Sequence, residues 1–284
     1  MMPRLLLPLA LLLSCATPPP CSHGVTPAPG SHHIPEWESR RLAGSGVAGV
    51  QGLVDRLLGA DAAARFAFES LPNASTASFE LGSAGGKPQI KGTSTVALAA
   101  GFYHYLKYTA NCSVSVGAQQ LELPSALPLP EPSAHPSPMQ FHWFGSFMAN
   151  SYTQAFWVWE RWEAHLDWCA LNGFDLVMVY AGAEHIHAEV YLEMGLTEEE
   201  LGSFFSGAAF LGWSSTRAGN VRGLAGPISP AWRASKAALG KKIIARCRCG
   251  NSTPFLRHIV FFLLVVRKHD RLPRQARDKD KEKR

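Results

Sequence analysis

Cysteine is scarce in this chain, with six in 284 residues, at positions 15, 21, 112, 169, 247 and 249. Two sit in or beside an N-terminal apolar segment, and the others show no disulfide-rich spacing. That excludes a fold held together by cross-links; a core-driven fold is expected, and the length supports one. Long hydrophobic runs are missing as well. Leu5–Leu13 and Ile259–Val266 both fall far short of the roughly 20 apolar residues of a membrane-spanning helix, so no membrane span is expected. Charge of one sign is also absent from the body of the chain. The net charge is +5, but Arg267–Arg284 alone holds nine basic and four acidic residues, and the remainder balances. The basic character belongs to a tail rather than a face, which argues against nucleic acid as a partner of the folded part. There is no internal repeat and no G-x-S-x-G nucleophile elbow.

What is present begins with a leader. Arg4, the apolar Leu5–Leu13 and small residues near Ala16 and Ser22 predict a signal peptide over 1–22. Pro18-Pro19-Pro20 stops any helix there. Entry into the secretory route would make Asn73-Ala-Ser, Asn111-Cys-Ser and Asn251-Ser-Thr acceptors for N-glycosylation.

Prolines then mark the boundaries. Residues 23–46 are expected to be a disordered linker, and residues 124–138, with six prolines, a second linker. Between them, residues 47–123 predict a small α+β domain. Val50, Leu53, Val54, Leu57 and Leu58 follow helical spacing. Short strands are expected around Phe66–Phe68, Ser78–Leu81, Gln89-Ile90 and Ser113–Val116. A helix from Val96 is capped by Thr93 or Ser94.

Residues 139–246 alternate strand and helix. Four of the eight tryptophans, at 157, 159, 162 and 168, fall in one helical stretch that stops at Asn172-Gly173. The apolar strand Phe174–Tyr180 follows, then helices near Glu184–Met194, from Thr197-Glu-Glu-Glu, and from Pro230 to Arg246. This order is the signature of a parallel sheet or barrel. Trp159, Trp162, Leu166 and Cys169 form the apolar stripe of the Trp-rich helix, and Glu160, Glu163 and Asp167 are expected on its solvated face. Residues 247–284 are expected to be a divergent, disordered tail.

Several of these stretches carry a family likeness. They are Ile90–Lys107, Ser151-Tyr152 through Trp159-Glu-Arg-Trp-Glu, Asp167–Gly173, Val190-Tyr191-Leu192 with Gly195-Leu-Thr, and Phe204–Trp213 with Gly226-Pro227 and Pro230-Ala-Trp232. Together they resemble the alpha-N-acetylglucosaminidases, lysosomal glycoside hydrolases that remove terminal N-acetylglucosamine from heparan sulfate. The likeness covers about residues 47–246. It implies an α/β fold: a small N-terminal α+β domain, then an incomplete (β/α)8 TIM-type barrel, then the basic tail. It also implies a glycan substrate, a lysosomal location and no cofactor.

Retaining glycosidases work with two carboxyl groups. In the family both lie on later strands, and no catalytic residue is assigned here. The substrate-facing positions that remain are Gly182, Glu184 and Trp213, the last able to offer a flat face to a sugar ring. Neighbouring positions depart from the family pattern. Ser146-Phe-Met148 stands where Asn-x-Cys is usual, and Ala183 and His187 replace a Gln and a Trp. The chain is therefore expected to be a family member without hydrolytic activity; the alternative is a non-enzymatic secreted module that binds a glycan or a protein.

Other motifs carry less. Gly44-Ser-Gly-Val-Ala-Gly49 satisfies G-x-G-x-x-G but follows no strand. Cys247-x-Cys249 with His258 and His269 fits no zinc spacing, and His185 and His187 diverge on a helix, so no metal is expected.

Overall fold

A computed structural model describes residues 46–72, 77–139, 141–145, 152–211, 223–247 and the backbone of 258–260. The leader, Asn73, Ser146–Met148, Trp213, Asn251 and most of the tail lie outside the described residues.

Helix α1 (Val47–Leu58) buries Val50, Leu53 and Val54, the i, i+3, i+4 face its spacing predicts. The short α2 (Ala60–Ala63) leads to β1 (Ala67–Ser70). β2 (Ser78–Ala84) and β3 (Lys87–Gly92) form a hairpin closed by Gly85 and Gly86, at φ 58° and 75°. Both central residues of this two-residue turn need positive φ, which glycine adopts without strain. β1 joins β3 in parallel.

Helix α3 (Thr95–Tyr108) packs on this sheet through Leu98, Phe102 and Tyr105. Ser94 is its cap, accepting from the Ala97 amide at 3.1 Å. A small ladder, β4 (Ser113–Val114) with β5 (Gln119–Gln120), follows.

The proline-rich stretch 124–138 is not free of regular structure. Ser133–Pro136 is a strand, β6, pairing antiparallel with β2 at the edge of a β1-β3-β2-β6 sheet. Proline offers no N–H, so its segment needs donors for its carbonyls. Arg65 donates to the Pro124 and Ser125 carbonyls at 2.8 and 2.9 Å, and the Tyr105 hydroxyl to that of Pro128 at 2.9 Å.

The second half holds β7 (Trp143–Phe144), the Trp-rich α4 (Trp159–Leu171), β8 (Leu176–Met178), α5 (Ala183–Glu193), α6 (Glu198–Phe204) and α7 (Pro230–Cys247). Thr197 and Glu200 close a capping box at the start of α6. A last strand, β9 (His258–Val260), runs parallel to β8, as β7 does, so the order is β7-β8-β9. Within the stretch expected to be a disordered tail, the described backbone places this three-residue strand.

One core runs through both halves. Phe66, Phe102, Tyr105 and Leu106 of the first belong to the same buried cluster as Trp162, Leu166, Cys169 and Ile243 of the second. Phe66 meets Phe102 edge-on at 5.1 Å, and Trp157 meets Trp162 at 5.2 Å. Each fully buried large side chain is worth about 1.5–3 kcal/mol. A smaller cluster of Leu201, Phe205, Leu211 and Ile228 holds α6 against Tyr191 and Trp232.

Asp167 corrects another expectation. Its side chain is only 13% exposed, and it accepts from Arg56 of α1 and Arg246 of α7. Glu163 lies within 4.0 Å of the same two guanidiniums. Glu163 and Asp167 form a seam between three helices, because two arginines from distant segments converge on them, while Glu160 is exposed as expected.

Candidate functional site

In parallel α/β folds the chemistry gathers at the carboxyl ends of the strands. After β8 the chain turns through Tyr180, Ala181 and Gly182 into α5. Gly182 sits at φ 95°, and a Cβ there would stand 3.0 Å from Ala237 Cα and 3.2 Å from the Lys236 carbonyl oxygen. Only glycine lets this turn rest on α7. The Gly182 expected to face substrate therefore has a backbone role.

Glu184 follows in the first turn of α5, where a carboxylate suits the positive helix end. It is 7% exposed. The half-buried Lys236 of α7 donates to the Trp157 carbonyl at 3.2 Å and feels the Glu184 charge. Burial lowers the pKa of the Lys236 ammonium, and the Glu184 charge offsets part of that. Burial raises the Tyr180 hydroxyl, and the same carboxylate adds to the effect. Glu184, Lys236 and Tyr180 thus form one electrostatic group, tied by Lys236 to the start of the Trp-rich segment. Lys236 and Tyr180 were not singled out in the sequence; a lysine six residues into a helix carries no signal of its own.

The end of β7 adds an aromatic surface. Gly145 packs directly on Met178, leaving no room for a side chain. Trp143, Phe144, Gln154, Trp157 and His165 line a cavity of about 430 Å³ beside it. Trp143, Tyr152 and Phe156 are 52%, 67% and 61% exposed. Flat rings with a polar amide at hand suit the C–H faces and hydroxyls of a sugar. His165, nearly buried, sits among Phe144, Trp157, Trp162 and Trp168, and burial drops its pKa to about 4.

His185 pairs with Glu189 at 3.1 Å along α5, whereas burial lowers His187, so the two do not converge. Among the described residues no group of three His, Cys, Asp or Glu could hold a metal ion, and no helix is long and apolar enough to cross a membrane. Asn111 is exposed, at φ 54°, a left-handed conformation asparagine tolerates.

Comparison with known proteins agrees with this layout. Residues 48–129 match the alpha-N-acetylglucosaminidase (NAGLU) N-terminal domain and residues 143–258 the tim-barrel domain of the same family. Human alpha-N-acetylglucosaminidase is 36% identical over 217 residues, 74% of this chain and 29% of that protein. A family 89 glycoside hydrolase from Clostridium perfringens in complex with PUGNAc is 32% identical, with a TM-score of 0.66 over 75% of this chain and 24% of that one. The same bacterial enzyme, with two glutamates replaced by glutamine, is similar to the same degree in complex with its substrate GlcNAc-alpha-1,4-galactose.

Fold and matches define an α/β protein of the glycoside hydrolase class. More narrowly, the chain belongs to the alpha-N-acetylglucosaminidase family. It spans about 29% of the length of the human relative. The family match reaches residue 258, further than the 246 read from the sequence, in keeping with β9.

Proposed function

We propose that residues 143–258 form the opening part of an alpha-N-acetylglucosaminidase-type barrel that holds a glycan ending in N-acetylglucosamine without cleaving it. The observation that carries this reading is the nearly buried Glu184 in the first turn of α5, together with the aromatic cavity at the end of β7. A buried carboxylate is suited to accept hydrogen bonds from sugar hydroxyls. Cleavage with retention needs a second carboxyl about 5–5.5 Å away. The family likeness implies that the two catalytic glutamates belong to later strands than those that match here. Gly182 supports the turn, Glu184 contacts the sugar, and Trp213, outside the described residues, adds a stacking face. The chain follows the secretory route to the lysosome, with Asn111 a glycosylated position; no cofactor takes part, and the glycan is of the heparan sulfate type.

The test is a pair of assays on purified protein. An aryl alpha-N-acetylglucosaminide is expected to show no turnover, and a GlcNAc-terminated disaccharide to give a saturable calorimetric signal. Turnover that disappears in Glu184→Gln would overturn the non-cleaving part, and a flat titration the glycan-binding part.

A further inference from the structure

A cluster of rings away from the strand ends has no part in the proposed glycan site. His104 of α3 and His135 of β6 lie against each other with centroids 4.4 Å apart and the rings tilted by 47°. His135 stacks on Phe79 of β2 at 4.7 Å and 17°, and His104 leans on Phe79 at 5.5 Å and on Tyr108 at 4.5 Å. The His104 Nδ1 is buried and makes no hydrogen bond, while His135 Nε2 lies 3.1 Å from the Ser133 hydroxyl. The rings pack on Phe79 and on each other, and this packing holds β6 to the rest of the sheet.

The charged groups around them do not favour added protons. From α3 comes Lys107, whose charge acts against a proton on His104, as His135 does after the larger effect of burial. On β2, Glu80 follows Phe79 and so projects from the opposite side of the strand. Beyond β6, His135 shares a cavity of about 280 Å³ with His142 and Asp175. That carboxylate already accepts from the His142 amide at 3.2 Å and lies 3.6 Å from its Nδ1.

We propose that His104 and His135 form an acid-operated latch, in which protonating the pair releases the edge strand β6 from β2. Two imidazolium ions at this spacing repel, and the buried Nδ1 would gain a proton with no acceptor to receive it. β6 is suited to release. It has four residues, one of them proline, a partner on one side only, and three of the four exposed. It also carries the chain from the sheet towards β7, so its detachment loosens the crossing between the two halves.

Hydrogen–deuterium exchange on the full chain at pH 7.5 and 5.0, corrected for intrinsic exchange, tests this. Protection of residues 133–137 is expected to fall about tenfold more than that of β3 on acidification. His135→Phe, which keeps the stack on Phe79, and His104→Phe are each expected to abolish the difference. Protection of 133–137 that does not change with pH overturns the latch. So does a loss that persists in whichever of the two variants remains folded.

Discussion

The Arg56 guanidinium donates to both carboxylate oxygens of Asp167, at 2.9 and 2.8 Å, across 111 residues of sequence. Arg246 completes the arrangement at 2.8 Å, so one carboxylate joins α1, α4 and α7. Burial pushes the Asp167 carboxyl up, against the pull of Arg56.

Removing each partner has a different expected cost. Arg56→Met leaves Asp167 bonded to Arg246 and should lose about 1–2 kcal/mol. Asp167→Asn leaves two guanidiniums without their shared counter-charge and should lose about 3 kcal/mol. Urea unfolding checks the order; equal losses would show that the seam does not act through Asp167.

Acid should weaken the Trp-rich helix through His165. Its folded pKa of about 4 lies below the ordinary 6.5, so the neutral ring is the form the core accepts. The stabilisation is complete above pH 6.5 and is lost as pH falls towards 4, at about 1.4 kcal/mol per unit. His165→Phe is expected to flatten that part of a plot of melting temperature against pH. An unchanged slope would rule out His165 as its source.

Gly182→Ala combines a left-handed backbone with a Cβ 3.0 Å from Ala237. A loss of about 1–3 kcal/mol is expected in thermal unfolding. Since the turn also orients Glu184, glycan affinity should fall with it. A variant as stable as the parent would mean that the turn relaxes freely.

Glu184→Gln keeps the shape of the site but removes the charge that Lys236 feels. Affinity for a GlcNAc-terminated disaccharide should drop about tenfold, the loss of one charge-assisted hydrogen bond. Lys236→Met should produce a similar drop, and unchanged calorimetric affinity in both would separate this pair from sugar binding.

Local patterns were readable in the chain itself. The spacing from Val50 to Leu58, a cap at Thr93 or Ser94 and a helix start at Thr197 each depend on residues within two or three turns of one another, so neighbouring residues suffice to reveal them. β6 was hidden because proline density masks a strand that needs few donors at a sheet edge. The role of Asp167 was hidden because its partners come from positions 56 and 246, and helical periodicity reports only which face a residue is on. Glu184 was legible through family likeness, whereas Lys236 and the aromatic cavity at β7 needed the tertiary packing that brings α7 and α4 together.

The continuous core also bears on how such a chain can change over generations. Phe102 and Trp162 lie in one cluster, and α3 packs on α4. A substitution in the sheet half therefore alters the surface that the Trp-rich half must fit, and coupled positions of this kind do not vary independently. The two halves are bound to drift as a matched pair rather than as exchangeable modules, and a recombination joint in the proline-rich crossing would bring together surfaces with no shared history of fit.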